Sequence, residues 1–302
     1  MKNNIRKIAL GLCLTGALTA CDLDVVPPAD IAAENFWQTE KDAWYALNTC
    51  YATLDGVDIW DELCTDNAHS HKPWEGNFEM VQQNGISTAN GYGSYYFGTV
   101  RIVNNFIANI DKCAVSEELK TRMKAEARFL RAYYYFELFR QYGPVYIWGD
   151  IESDELIKPE TIDRHTVDEN VNFIAEEYDK AIAELPAEIS DFTKWAGRIT
   201  KGAAMAAKAR LMLYAASPLY NGCDLYKGQM KNLYGDFLFP QSPDPQKWEK
   251  AAKAAKDVID MNIYELYKDQ TEADPLLRAI KSYQGVPVSY THLRAHETRS
   301  NL

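Results

Sequence analysis

Residues 126–147 read EARFLRAYYYFELFRQYGPVYI, and this stretch decides the fold class. It belongs to a predicted helix that begins after Ser116 and ends at Gly143-Pro144, because Ser caps helix starts and Gly-Pro stops helices. Since a helix with two apolar faces packs between neighbours, the segment predicts a helical core. The two faces carry Leu119, Met123, Ala127, Leu130 and Tyr134, and Ala125, Phe129, Ala132, Phe136 and Phe139.

Helical spacing continues on both sides of this helix. Upstream, Thr39 and Asp42 predict a helix start, and a second helix is expected from about Tyr95 to Lys112. Downstream, Thr166 with Glu169 forms a predicted capping box, and further helices are expected over 200–216 and 245–261. The expected buried stripes are Ala43, Leu47, Cys50, Tyr51 and Leu54; Ile102, Val103, Phe106, Ile107 and Ile110; and Trp248, Ala252, Ala255 and Ile259.

The order of these helices predicts two helical hairpins, 116–142 with 166–186 and 200–217 with 245–262. Tetratricopeptide units stack in this way, although the loops here stretch the spacing well past the usual ~34 residues. No run alternates in the manner of a βαβ array. The sequence therefore predicts an all-α fold of tetratricopeptide-like hairpins with long irregular loops.

The amino terminus has the pattern of an export signal. Lys2, Arg6 and Lys7 precede a short apolar run over 8–20, which is too short to span a bilayer. The run ends in Leu18-Thr19-Ala20-Cys21, which resembles a bacterial lipobox. Residues 1–20 are therefore predicted to be a lipoprotein signal peptide and Cys21 the lipidated residue. An ordinary signal peptide with a coincidental Cys is the alternative.

Composition and cysteine usage narrow the possible partners. The formal net charge is −11, and an acidic chain repels phosphate backbones, so no nucleic-acid partner is expected. No C-x-x-C pair is present, so a zinc site is not expected. Four cysteines lie outside the predicted signal peptide and lipidation site. Buried free thiols are favoured for these four, which could also form disulfides in any of three pairings. These four are Cys50, Cys64, Cys113 and Cys223.

Aromatic residues outside helical spacing are the best ligand-binding candidates. They lie in or beside the irregular stretch 55–98, where aromatic planes can stack on sugar rings. Amide and carboxylate side chains nearby can fix the orientation of hydroxyl groups. The alternative is that these rings only pack their own loops. The candidates are Trp60, Asp66, Trp74, Asn77, Tyr92, Tyr95 and Tyr96.

Catalytic and metal-binding patterns are absent from the sequence. There is no G-x-S-x-G, no H-E-x-x-H and no glycine-rich phosphate loop, so neither catalytic residues nor a cofactor are predicted. His69 and His71 lie near Asp66, but a metal site needs three or four convergent ligands, so they are interpreted as solvated. Carboxylates for glycoside hydrolysis need a specific separation that sequence does not show.

Four segments resemble the SusD/RagB family of outer-membrane nutrient-binding lipoproteins. They are ENFWQTEKDA at 34–43, the quoted stretch at 126–147, GRITKGAAMAAKARLMLYAA at 197–216 and WEKAAKAAKDVI at 248–259. The resemblance implies a SusD-like helical fold and a non-catalytic protein in the outer membrane, facing outwards. It also implies capture of oligosaccharides or peptides and a SusC-like TonB-dependent transporter as partner.

The resemblance covers about residues 8–285 and sets the expected domain limits. Residues 21–285 are expected to form a SusD/RagB-like helical domain that is incomplete, because family members continue well beyond it. Residues 286–302 include VSYTHLRAHETRS, which resembles translated sequencing adapter, and are expected to be an artefactual tail. An exported helical glycoside hydrolase and a helical-repeat scaffold that binds proteins remain the alternative functions.

Overall fold

The computed structural model describes residues 36–54, 96–150 and 162–285. The regular elements in these ranges are helices, apart from one isolated β-bridge between Lys231 and Phe237. The prediction of an all-α fold is confirmed. The helices are α1 (Glu40–Tyr51), α2 (Phe97–Asn109), α3 (Glu117–Tyr142), α4 (Val167–Glu184), α5 (Phe192–Trp195), α6 (Lys201–Ala216) and α7 (Gln246–Ile259).

Contacts along the chain divide it into two compact units. The first comprises Met1–Gln141 and Trp148–Ile162, and the second comprises Tyr142–Ile147 and Asp163–Leu302. Helices α1 to α3 therefore belong to the first unit and α4 to α7 to the second. Within the described ranges, the search for a helix long and apolar enough to cross a bilayer finds none.

In the first unit, α1 begins as the sequence predicts. The Thr39 hydroxyl accepts a hydrogen bond from the Asp42 amide, and the Asp42 carboxylate accepts one from the Thr39 amide at 2.8 Å. This capping box satisfies amides that the helix itself cannot pair. Behind it, Ala43, Leu47 and Cys50 are buried in the order expected.

Helix α2 and the residue after it bury most of the predicted stripe, but not all of it. Val103, Phe106 and Ile110 are buried, but Ile102 is 37% exposed, so its assignment to the core is wrong. Val100 and Asn104 are buried instead. The burial of the polar Asn104 is not predictable from sequence, because its partner Arg131 is 27 positions away along the chain.

Helix α3 is buried around most of its circumference between Ala125 and Phe139, which confirms the prediction of two apolar faces. Glu126 and Arg131 are fully buried within this span. Each has polar partners, as buried charges require. The Glu126 carboxylate accepts hydrogen bonds from Tyr51 and Arg122, and the Arg131 guanidinium donates to Asn104 and to Asp150.

In the second unit, α4 begins with the predicted capping box of Thr166 and Glu169. Asn170, one turn into the helix, is fully buried. Its amide oxygen accepts from the Val145 amide at 3.2 Å, and its nitrogen donates to the Val145 carbonyl at 3.1 Å. A single side chain thus fixes the segment after Gly143 against the start of α4.

Helices α6 and α7 pack against each other, and α6 also packs against α4. The predicted hairpin of 200–217 with 245–262 is therefore confirmed. The prediction for the buried face of α7 is wrong, because Trp248 is 49% and Ile259 is 72% exposed. Ala251 is the buried residue, and the half-buried Ala254 and Val258 lie on its side of the helix.

Hydrogen bonds join the two ends of the connection between α6 and α7. The Asn221 side chain donates to the Asp244 carbonyl at 2.9 Å and accepts from the Asp244 amide at 2.8 Å. Next to this pair, Gly222 has a φ of +78°, and a Cβ there would lie 2.4 Å from the Pro243 nitrogen. Only glycine fits this close approach of two backbones.

Beyond α7, the chain turns back towards the start of α6. The Tyr264 ring lies against Gly202, so closely that a Cβ on Gly202 would meet its hydroxyl at 2.2 Å. A further helical stretch, residues 275–285, begins where the Asp274 carboxylate accepts hydrogen bonds from the amides of Leu276 and Leu277.

Candidate ligand-binding regions

Most of the predicted ligand-binding residues lie outside the described residues. These are Trp60, Asp66, Trp74, Asn77, Tyr92 and Tyr95, all within 55–95, and the predicted lipidation site Cys21 is likewise outside. Their roles stay predictions. The structure does describe the residues on either side of 55–95, and these determine how that stretch is attached to the first unit.

Tyr96 is the one candidate that the structure describes, and its ring is in the core. Only 6% of its surface is exposed. The ring stacks on that of Tyr134, with centroids 5.6 Å apart and planes inclined by 25°. This packing contributes to the stability of the first unit, because stacked aromatic pairs are favourable beyond the area that they bury.

Tyr134 also anchors the residues before the 55–95 stretch. Its hydroxyl donates to the Cys50 carbonyl at 2.7 Å and accepts from the Thr53 hydroxyl at 3.0 Å. Next to Cys50 in the sequence, the Tyr51 hydroxyl donates to buried Glu126 at 2.8 Å. The residues that precede the stretch and Tyr96, which follows it, therefore both contact one side chain of α3.

The approach to residues 151–161 is fixed on α3 as well. The Arg131 guanidinium donates to the Gly149 carbonyl at 3.1 Å and to the Asp150 carboxylate at 2.7 Å. The Tyr135 hydroxyl accepts a hydrogen bond from the Trp148 amide at 2.8 Å. Tyr134 lies on one of the two apolar faces predicted for this helix, and the contacts of Tyr134, Tyr135 and Arg131 are all structural.

The second unit contains a cleft that the sequence did not predict. It has a volume of about 520 Å³ and lies between α4, α6 and the start of α7. Its floor is apolar and its rim carries charges of both signs. The floor is formed by Val171, Ala175, Met212 and Ala215, and the rim by Asp168, Asn172, Glu176, Asp179, Lys208, Asp244, Lys247 and Lys250.

Two ion pairs connect the helices around the cleft. Lys247 lies 2.6 Å from the Asp168 carboxylate, and Lys208 lies 2.5 Å from that of Asp179. Because both aspartates are largely exposed, each pair contributes only about 0–1 kcal/mol. Their effect is mainly positional, since they join α4 to α7 and to α6 at sites eleven residues apart on α4.

The cleft is suited to hydrogen bonding rather than to stacking. Among the described residues that line it, none is aromatic. Asn172 and Glu176, one turn apart on α4, can offer an amide and a carboxylate to a polar ligand. In the sequence, the cleft is indicated only by polar residues that recur at 168, 172, 176 and 179. A helix face exposed to water shows the same pattern.

Capping and burial shift the pKa values of two groups near the helices. The Thr166 amide holds the pKa of the Glu169 carboxyl below its usual value. Burial raises the pKa of the Cys50 thiol to about 12. Cys50, Cys113 and Cys223 are free thiols, as the sequence favoured, while Cys64 lies outside the described residues. The described ranges contain no group of three side chains that could hold a metal ion.

Comparisons with known proteins agree with this geometry. A family model of SusD-like proteins, described as starch-binding and associating with outer membrane, matches residues 30–213. SusD-like protein P38 of Formosa agariphila is 28% identical over 225 residues, which are 70% of this chain and 42% of that protein.

Solved structures show the same likeness. The protein named BT4246 superposes with a TM-score of 0.63 at 28% identity, over 76% of this chain and 42% of that one. A SusD-like protein (BF3747) from Bacteroides fragilis has a TM-score of 0.57 at 25% identity, over 80% of this chain and 42% of that one. The chain thus spans less than half the length of each of these relatives.

Proposed function

The chain belongs to the SusD-like family, and from this membership we propose that it is a non-catalytic protein that captures carbohydrate at the cell surface. The observation that carries the proposal is the family match over residues 30–213, because that range contains every predicted ligand-binding residue. The match covers only 42% of SusD-like protein P38, so the proposal concerns the contribution of this part to capture.

Capture is assigned to the aromatic-rich stretch 55–98 rather than to the cleft. Sugar rings present flat faces of C–H groups that stack on aromatic planes, and no residue described at the cleft is aromatic. Trp60 and Trp74 are proposed to supply such planes, with Asp66 and Asn77 as hydrogen-bonding partners of the hydroxyl groups. The contacts of Tyr134 support this role, because a binding segment is more selective when its ends are fixed.

The proposed setting is the outer membrane. Cys21 would carry the acyl chains after removal of residues 1–20, and two or more chains anchor a protein stably. The family description, with its association with outer membrane, supports this location. Captured oligosaccharide would then pass to a TonB-dependent transporter of the SusC type, which is the proposed partner.

Affinity electrophoresis tests the capture. The intact protein is run through gels that contain starch or another polysaccharide, alongside the variants Trp74→Ala and Phe192→Ala. Phe192 is an exposed aromatic of the second unit and serves as the matched control. Loss of one stacking ring is expected to weaken binding about tenfold in Trp74→Ala, while Phe192→Ala migrates like the wild type.

Each other outcome contradicts part of the proposal. Equal retardation of both variants would remove Trp74 from the binding site. Migration unaffected by any polysaccharide, together with no binding of peptides, would contradict capture and favour the scaffold function. Release of reducing sugar by the purified protein, lost when one carboxylate is replaced, would favour the glycoside hydrolase.

A further inference from the structure

The cleft of the second unit has a polar lining that the proposed capture of carbohydrate at residues 55–98 does not use. Its volume of about 520 Å³ lies in the range of sites that bury a small organic ligand. Helix α6 packs on both α4 and α7, so residues of three helices meet around this one concave space. A concave space with an apolar floor and a few convergent polar groups is the usual form of a ligand site.

Two ion pairs hold the walls of the cleft together. Lys247 of α7 pairs with Asp168 at the start of α4, and Lys208 of α6 pairs with Asp179. The two aspartates are eleven residues apart on α4, which corresponds to about 16 Å along a helix. A ligand that enters between them meets walls that are already in place, so binding does not have to assemble the site.

The charged groups that remain uncommitted in the lining are one carboxylate and one ammonium. Asn172 and Glu176 are four residues apart on α4, so they point the same way in the interval between the two ion pairs. Lys250 is one turn along α7 from the lysine of the first ion pair. Among the described residues, these three side chains have no hydrogen-bond or ion-pair partner. The Asp244 carboxylate, by contrast, accepts a hydrogen bond from the Gln246 amide at 2.9 Å.

The floor of the cleft can cover the apolar part of a ligand. Val171, Ala175 and Ala215 are buried, and Met212 is half-buried. Methionine adapts its side chain to irregular shapes, so this floor does not demand one particular apolar group. The charged side chains on the two walls therefore determine which ligand is bound and in which orientation.

We propose that the cleft binds a small zwitterion with a compact apolar part, its ammonium on Glu176, its carboxylate on Lys250 and its neutral polar groups on Asn172. A ligand with a single charge would cover one of the two charged side chains without pairing it, which is unfavourable. Hydrogen bonds between charged groups are roughly twice as strong as neutral ones, so two of them can replace the stacking that the described lining does not offer. Short unblocked peptides and sugars that carry both an amino and a carboxyl group share this chemistry.

Isothermal titration calorimetry of the purified protein tests the proposal with two zwitterionic probes. The first is the tripeptide alanyl-leucyl-alanine, and its control is the same peptide with an acetylated amino end and an amidated carboxyl end. The second is muramic acid, and its control is N-acetylmuramic acid, which has no ammonium group. At least one zwitterion is expected to bind at least tenfold more tightly than its control, because each lost charge removes a charge-assisted hydrogen bond. The tighter probe identifies the source as peptide or sugar.

Variants then show whether the cleft is the site. Glu176→Gln and Lys250→Gln each remove one charge and are expected to weaken binding about tenfold or more. Neither change removes a contact among the described residues, so both proteins are expected to fold. Glu184→Gln on α4 and Lys253→Gln on α7 are the matched controls, because both residues are exposed and neither lines the cleft.

An exchange of the two charges separates binding from any structural role. The double variant Glu176→Lys with Lys250→Glu is expected to bind the zwitterion more tightly than either single reversal, because the ligand can turn round between the walls. The proposal is overturned if neither zwitterion binds, if the blocked probes bind as well as the charged ones, or if the cleft variants bind like the controls. It is also overturned if the double variant binds no better than the single reversals.

Discussion

At the scale of single residues, the buried polar side chains determine how the irregular segments are attached to the helices. Tyr134 binds the end of α1 and stacks on Tyr96, and Asn170 holds the segment that follows α3. Neither role can be deduced from sequence, because apolar spacing identifies which residues are buried but not which polar groups meet. The burial of Tyr134, by contrast, follows from its place on an apolar face of the predicted helix.

Gly222 provides a test at this scale. Gly222→Ala is expected to lower the free energy of unfolding by about 3 kcal/mol, because a side chain at this φ is strained and the Cβ would overlap the backbone at Pro243. Gly228→Ala is the matched control, since Gly228 also has a positive φ but has nothing within 4 Å of a Cβ. Gly228→Ala should lower the free energy of unfolding by only about 1 kcal/mol, as measured by urea unfolding. Equal losses would show that the contact with Pro243 has no effect.

At the scale of the elements, helix starts were the most predictable feature. The capping boxes at Thr39 and Thr166 were both identified from a hydroxyl residue followed three positions later by an acid, and both are present. Such motifs are local, so the sequence contains all the partners involved. The faces of α2 and α7 were less predictable, because an apolar row does not specify which neighbour covers it.

The capping box of α4 predicts a pH-dependent effect. Thr166→Ala should lower the free energy of unfolding by about 1 kcal/mol at neutral pH. The Glu169 carboxylate accepts hydrogen bonds from the Thr166 amide and hydroxyl, at 2.7 and 2.8 Å, and its pKa is lowered in the folded state. Its contribution to stability is therefore present above the usual pKa of about 4.5 and is lost as the pH falls through the lowered value.

Thr200 is the matched control for this prediction. It caps α6 by accepting from the Ala203 amide at 3.4 Å, and residue 203 has no carboxylate to return the bond. The difference between wild type and Thr166→Ala should shrink between pH 7 and pH 3, whereas that between wild type and Thr200→Ala should stay constant. Chemical unfolding followed by circular dichroism measures both. A constant difference for Thr166→Ala would exclude a contribution of the hydrogen bond between the Thr166 hydroxyl and the Glu169 carboxylate.

At the scale of the whole molecule, the fold class followed from the sequence but the binding site did not. Long periodic helices identified the all-α architecture, and four segments identified the family that the model over residues 30–213 confirms. The ligand-binding candidates lie in a stretch without helical spacing. Such a stretch does not indicate which residues or ligands each side chain contacts. The cleft was missed because its rim consists of charges typical of any exposed helix face.

The lipid anchor is a prediction for the complete molecule in its cell. Cys21→Ala is expected to remove acylation and to move the protein from the membrane fraction to the soluble fraction, because each buried methylene contributes about 0.8 kcal/mol to anchoring. Cys13→Ala changes the other cysteine of the leader and should leave both properties intact. Metabolic labelling with an alkyne fatty acid followed by fractionation measures them. Membrane association retained by an unlabelled Cys21→Ala protein would contradict the lipoprotein assignment.

The pairing of Asn221 with Asp244 has a consequence for how this protein can vary. Because the two residues join the ends of the connection between α6 and α7, exposed parts of the intervening segment can change without moving either helix. Doubling the length of a flexible loop costs only about 0.6 kcal/mol. Evolution can therefore enlarge the turn at residues 233–236, which are exposed, whereas Leu238 and Phe239 are buried and have to be kept. The same turn is a suitable place for an engineer to insert a peptide tag.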